Sequence, residues 1–149
     1  MMDVLVGLIK QFEGLHRVDS DGLVHPYICP AGFPTQGWGL RVKDMDVPPI
    51  SKEEADERLR LALRGYVDKT LKLLPILAGS DLKLAATVDF CFNLGPTALA
   101  GSTMRRRIQE GDWDRAATEC QRWVFGGGRK LPGLVRRRAA EAALMRSSE

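Results

Sequence analysis

The stretch Phe12–Thr35, FEGLHRVDSDGLVHPYICPAGFPT, decides how the chain is read, because its second residue breaks a pattern. The residues leading into it, Val4, Leu5, Leu8, Ile9 and Phe12, recur at the spacings of one helical face. The next position on that face is Glu13, a carboxylate where the pattern asks for an apolar side chain. Two readings of Glu13 are open. If it lies on the buried stripe, at the C-terminal end of its helix, desolvation and the helix dipole both oppose its ionised form. A carboxyl that keeps its proton near neutral pH suits a general acid. If the helix turns slightly, Glu13 simply faces water. Periodicity alone favours that second reading, since surface glutamates are common.

With 149 residues the chain is long enough to bury a core within one domain, and its 44% hydrophobic and 28% charged content is ordinary for a globular protein. No apolar run reaches membrane-spanning length, and the N-terminus MMDVLVGLIKQFEG has no secretory pattern, so synthesis and folding in a cytoplasm are expected. Cys29, Cys91 and Cys120 are odd in number and contain no CxxC pair, which fits a reducing compartment. A zinc site built from His16, His25 and Cys29 matches no common ligand spacing, and no metal or cofactor is expected.

Net charge is +3, unevenly placed. From Gly101 onward eleven Lys and Arg oppose six Asp and Glu, which leaves the first hundred residues at −2. The triplets Arg105–Arg107 and Arg136–Arg138 read first as solvated helix faces. Their functional reading is attraction to a polyanion, either nucleic acid or an anionic cell wall.

A first helix is predicted from about Asp3 to Glu13, stopped by Gly14. A Gly- and Pro-punctuated region to about Pro49 reads as a small irregular antiparallel sheet, with turns at Asp21-Gly22 and Pro30-Ala31-Gly32. Asp19-Ser20-Asp21-Gly22 lacks the later ligands of a calcium loop and reads as a plain turn. Ser51 and Glu54 form a capping box for a long helix that Pro75 ends. The rest is predicted to be helical throughout. Its segments are DLKLAATVDFCFNLG, a helix from Ser102 to Gly111, DWDRAATECQRWVF ended by Gly126–Gly128, and PGLVRRRAAEAALMRS opened by Pro132. Trp113 and Trp123 read as core anchors, and Cys91 and Cys120 as buried. Gly126–Lys130 is not a phosphate loop, because Leu131 stands where a hydroxyl is needed and no strand precedes it.

The residues Phe12-Glu13-Gly14, followed by Tyr27-Ile28-Cys29-Pro30-Ala31-Gly32-Phe33-Pro34-Thr35-Gln36-Gly37-Trp38-Gly39, resemble the catalytic segment of the phage-type lysozymes. Two more blocks, Asp89–Trp113 and Arg122–Glu141, agree in the same order, so the resemblance spans nearly the whole chain. It implies an α+β, mainly α, lysozyme-like fold in a single domain. Residues 14–50 would form a small antiparallel β lobe, 51–74 a connecting helix, and 1–13 with 75–149 a helical lobe. The implied activity is that of an endolysin: hydrolysis of the β-1,4 bond between N-acetylmuramic acid and N-acetylglucosamine in peptidoglycan, causing host lysis. The implied protein is a monomer that depends on a holin-type partner to reach the periplasmic wall, without stable membrane insertion and without nucleic acid as a partner.

In that resemblance Glu13 protonates the leaving oxygen, and Thr35 handles water on the other sugar face. The family's aspartate position falls on Cys29, a departure from the two-carboxylate scheme. As a thiolate, Cys29 could take a proton from water, stabilise an oxocarbenium-like charge or attack the anomeric carbon; alternatively it is a small turn residue. The longer segment before it brings Asp19 and Asp21, which offer a carboxylate of their own. Asn93 and Phe92 are implied substrate contacts, and Trp38 is a candidate sugar platform. Arg136 or Arg137 is implied as a neighbour of Glu13, although one alignment would choose Leu134. The competing class is a non-catalytic wall-binding or basic nucleic-acid-binding helical protein.

Overall fold

A computed structural model describes every residue from Met1 to Glu149. The fold is mainly helical with a small antiparallel sheet, in the order α1 (Met2–Glu13), β1 (Tyr27–Ile28), β2 (Pro34–Gln36), β3 (Leu40–Arg41), α2 (Lys52–Leu73), α3 (Asp81–Leu94), α4 (Pro96–Ala100), α5 (Thr103–Gln109), α6 (Trp113–Cys120), β4 (Phe125–Gly126), β5 (Arg129–Lys130) and α7 (Pro132–Met145). A 3-10 turn, Pro75–Gly79, joins α2 to α3. The chain divides into two compact units, Val6–Ala62 and Met1–Leu5 with Leu63–Glu149.

In the unit Val6–Ala62, three short strands form a sheet of order β1-β2-β3, all antiparallel. Strands this short cannot hold themselves together, so the unit leans on a small apolar cluster and one polar strut. Val24, Ile50 and Ala55 are buried, with Leu15 and Trp38 packed against them. Single β-bridges tie Val24 to both Val18 and Ile50. The buried Gln36 side chain donates to the carbonyls of Val24 and Pro48 at 3.0 and 3.1 Å, adding a second donor to the Val24 carbonyl, which also accepts from the Ile50 N–H. Ser51 caps α2 by accepting from the Glu54 N–H at 3.0 Å. The reciprocal half of the capping box does not form, because the Glu54 carboxylate pairs with Arg58 one turn on.

In the other unit, α3 is buried continuously from Lys83 to Cys91, as its all-round apolar sequence predicts. Its N-cap is Ser80, which accepts from the Lys83 N–H. α3 packs against α7, α5 against α6, and α6 against α7. Cys91 and Cys120 are buried.

Three expectations are corrected here. The C-terminal half is not helical throughout: α6 stops at Cys120, and β4 and β5 form a hairpin pairing Phe125 with Lys130 and Gly126 with Arg129. Gly127 and Gly128 take φ of +58° and +77°, the two positive values of a type I′ turn, so these glycines make a hairpin and not merely a helix stop. Trp123 is no core anchor, being 37% exposed, with its ring set edgewise against buried Phe90 at 5.5 Å. The triplet Arg136–Arg138 is not a solvated face, since Arg137 and Arg138 are buried and only Arg136 is exposed.

Candidate active site

α1 ends at Glu13, whose side chain is half-buried and whose carbonyl accepts from the His16 ring at 3.0 Å. The carboxylate lies against the backbone of Gly39, in the turn between β2 and β3. A Cβ built on Gly39 would sit 2.7 Å from Oε2 and 3.1 Å from the carboxyl carbon, so any side chain there would make the carboxylate end of Glu13 move. Gly39 also has φ of +88°, a conformation that other residues adopt only with strain. The chain therefore needs glycine here twice over, for the turn and for the wall behind the acid.

Across the sheet, Tyr27 pairs with Thr35 and Thr35 with Arg41. Directly paired residues share a face, so these three side chains form one row. Sequence reading gives Tyr27 no role, although strand alternation places it on the same side as Cys29, two residues on. Burial, followed by the negative charges of Glu13 and Cys29, raises the Tyr27 phenol above its usual range. His16 adds an edgewise contact to the same ring at 5.1 Å.

Cys29 occupies a tight hairpin. Its N–H donates to the Phe33 carbonyl at 3.0 Å, and its own carbonyl accepts from Gly32 at 2.8 Å. The backbone N–H of Phe33 is the largest influence on the thiol and lowers its pKa, with the Thr35 hydroxyl and the Ala31 and Gly32 backbone helping and desolvation opposing. A loop of backbone donors around a sulfur favours the thiolate. Thr35 is buried and its hydroxyl donates to the Phe33 carbonyl at 2.9 Å. One hydroxyl proton cannot serve two acceptors, so ionisation of Cys29 would draw it from the carbonyl to the sulfur. Beside this hairpin, the Arg41 guanidinium stacks on the exposed Phe33 ring at 3.6 Å.

Trp38 is partly buried on the apolar cluster and already engaged. Its indole N–H donates to Asp56 at 2.7 Å, and the Lys10 ammonium stands 5.0 Å from its ring. Asp19 serves its own turn: one oxygen accepts from the Asp21 and Leu23 N–H groups, and the other meets His25 at 2.7 Å. These contacts, with His25 foremost, hold its carboxyl below the usual range. His16 and His25 are thus turned to Glu13, Tyr27 and Asp19, and no group of three His, Cys, Asp or Glu is placed to hold a metal.

The remaining sequence-predicted residues lie in the other unit. Asn93 accepts from Arg138 at 2.9 Å, and half-buried Phe92 stands edgewise to Tyr66 at 5.4 Å. Arg137 grips Asp89 with two bonds of 2.9 and 2.8 Å, both residues being buried. Arg136 is exposed, beside Lys130, Pro132 and Val135. Next to Arg137 on α7, Arg138 pairs with Glu141 at 2.7 and 2.8 Å, and Glu141 also accepts from the Cys120 thiol at 3.2 Å. Burial, with Asp89 nearby, pushes the Glu141 carboxyl up, and Arg138 only partly opposes it. Most of this buried network is invisible in a linear reading, because Asp89, Asn93 and Cys120 lie far from the arginines in sequence and the Arg138–Glu141 pair, three residues apart, looks like a solvated one.

The chain is 32% identical over 145 residues to an endolysin of Bacillus phage B103, covering 97% of this chain and 53% of that protein. The chain therefore spans about half the length of that relative. It is 41% identical over 141 residues to the SAR-endolysin of Escherichia phage Mu, covering 88% of this chain and 80% of the relative. Among solved structures, the muramidase domain of SpmX from Asticaccaulis excentricus superposes with a TM-score of 0.78 at 31% identity, covering 96% of this chain and 95% of that one. The phage lysozyme family model matches residues 10–141. On that match, which runs from the last turn of α1 through the Arg138–Glu141 pair, the chain belongs to the phage lysozyme family.

Proposed function

We propose that the protein is an endolysin that hydrolyses the β-1,4 bond between N-acetylmuramic acid and N-acetylglucosamine in bacterial peptidoglycan. Glu13 gives its proton to the departing sugar oxygen. Cys29, as a thiolate, takes a proton from the water that attacks the anomeric carbon, and Thr35 orients that water. The balance is one water consumed, its hydroxyl on the new reducing end and its proton on the thiolate, with solvent later restoring both groups. The observation that carries this reading is the Glu13 carboxylate lying against Gly39, in the turn that follows Thr35, while Thr35 pairs across the sheet with Tyr27, two residues before Cys29. The acid, the thiol and the hydroxyl therefore belong to a single unit.

The name of the Mu relative and the muramidase domain of SpmX support wall hydrolysis as the activity. No helix is long and apolar enough to cross a membrane. On this reading the protein is a monomer that reaches the periplasmic wall after a separate holin-type protein has permeabilised the membrane. Burial of Arg137 and Arg138 in ion pairs takes one of the two basic triplets out of reach of phosphates and weakens the nucleic-acid-binding reading.

The test is digestion of purified peptidoglycan followed by mass spectrometry of the soluble fragments. Muropeptides ending in reducing N-acetylmuramic acid are expected. Reducing N-acetylglucosamine ends, or no release, would overturn the assignment. The anomer formed first then reports the part of Cys29: inversion is expected of water attack, and retention would mean that the sulfur bonds to the sugar.

A further inference from the structure

One cluster beside the site has no part in the hydrolytic chemistry itself. On α1, the Lys10 ammonium reaches the Asp56 carboxylate at 2.9 Å. Lys10 stands one helical turn before Glu13. The other oxygen of Asp56 accepts the Trp38 indole N–H at 2.7 Å. Trp38 immediately precedes Gly39, whose backbone is the wall against the Glu13 carboxylate. The Lys10 ammonium, 5.0 Å from the Trp38 ring, closes the triangle. One carboxylate on the second turn of α2 therefore holds both chain segments that meet at Glu13.

We infer that Asp56, with Lys10 and Trp38, is a positioning cluster that fixes the last turn of α1 against the Trp38–Gly39 backbone and so sets where the Glu13 carboxyl points. This rests on the reading of Glu13 as the acid. The cluster touches no reacting atom. It acts through the helix on one side and the glycine wall on the other. A half-exposed ion pair contributes little to stability, so its use lies in geometry. Asp56 suits this role because it stays ionised: burial alone would raise its pKa, but the bonds from Lys10 and Trp38 outweigh that. Its two oxygens face different directions, and that lets one side chain brace two segments. The indole ring is thereby held by its N–H and faced by the ammonium, an arrangement for bracing and not for stacking on a sugar.

The test compares kcat and KM on solubilised peptidoglycan for wild type, Lys10→Met, Asp56→Ala, Trp38→Phe and Glu13→Gln, with thermal unfolding of each. Trp38→Phe keeps the ring and removes only the N–H. Loss of kcat by roughly ten- to a hundredfold is expected for Lys10→Met and Asp56→Ala, with KM within about twofold. The double variant should lose no more than the worse single one, because both remove the same brace. Lys10→Arg, which keeps the charge, should restore most of kcat. Folded Lys10→Met and Asp56→Ala proteins with wild-type kcat would overturn the inference. So would an unchanged kcat with raised KM in Trp38→Phe, which would make the ring a sugar platform. If Glu13→Gln is itself fully active, the reading beneath the inference fails instead, and the two failures are thereby told apart.

Discussion

The Glu13 carboxylate rests against Gly39 so closely that a methyl group on that glycine would stand 2.7 Å from Oε2. Replacing Gly39 by alanine therefore displaces the carboxylate end of Glu13, and places a non-glycine residue at φ of +88°. Activity on peptidoglycan is expected to fall by about a hundredfold from misplacement of the acid. Unfolding free energy should fall by about 1–3 kcal/mol from backbone strain. Kinetics and denaturant unfolding on the same protein separate the two effects; unchanged kcat would mean that the contact does not orient Glu13.

The thiol at the hairpin should reveal its donors through its titration. Alkylation by iodoacetamide needs the thiolate, so its rate rises with pH through the pKa of Cys29, which its hydrogen-bond donors, the Phe33 N–H foremost, lower from the ordinary thiol value. Cys91 and Cys120 are buried, and desolvation raises both, so Cys29 should react first and alone in the folded protein. Mass spectrometry locates the adduct. Modification should abolish activity, and Thr35→Val should move the alkylation midpoint upward by removing one donor.

Asp19 and Asp21 offered a substitute for the missing carboxylate, and the geometry places Asp19 in the service of its own turn and His25. The double variant Asp19→Asn/Asp21→Asn should keep activity within about threefold of wild type, since neutral amides lose the His25 pairing but the hairpin at Cys29 keeps its own hydrogen bonds. Abolished turnover in a folded protein would return the role to these carboxylates.

Stability has a separate seat, in the buried fork between Arg138 and Glu141. Glu141→Ala strips Arg138 and the Cys120 thiol of their shared acceptor in a buried site, and should cost about 3–5 kcal/mol. The apolar pair Arg138→Met/Glu141→Leu should cost less than the single variant, because no buried charge is left unpaired. Denaturant unfolding measures both.

How much of this was legible depended on whether partners lie near one another in sequence. The end of α1 at Glu13, the Ser51 cap and the buried run of α3 follow from local patterns, and the structure has them. The Gly127-Gly128 hairpin was readable in principle, but three successive glycines after an amphipathic run also fit a helix stop, and backbone φ decides between them. Arg137 and Arg138 could not be told from solvated charges, because Asp89 lies far upstream and Glu141 counts only once Arg138 is known to be buried. The Gly39 wall and the Asp56 brace were hidden for the same reason. Each is a contact between segments joined by turns, and no periodicity announces it.

The central claim is that Glu13 supplies the proton, and turnover of purified peptidoglycan by Glu13→Gln measures it most directly. The amide fills the same space against Gly39 but has no acidic proton to give, so a folded variant should lose about 10²–10⁴-fold in kcat, the scale of a general acid's contribution, with fragment binding preserved. Release of reducing N-acetylmuramic acid ends at the wild-type rate by that variant would contradict the account.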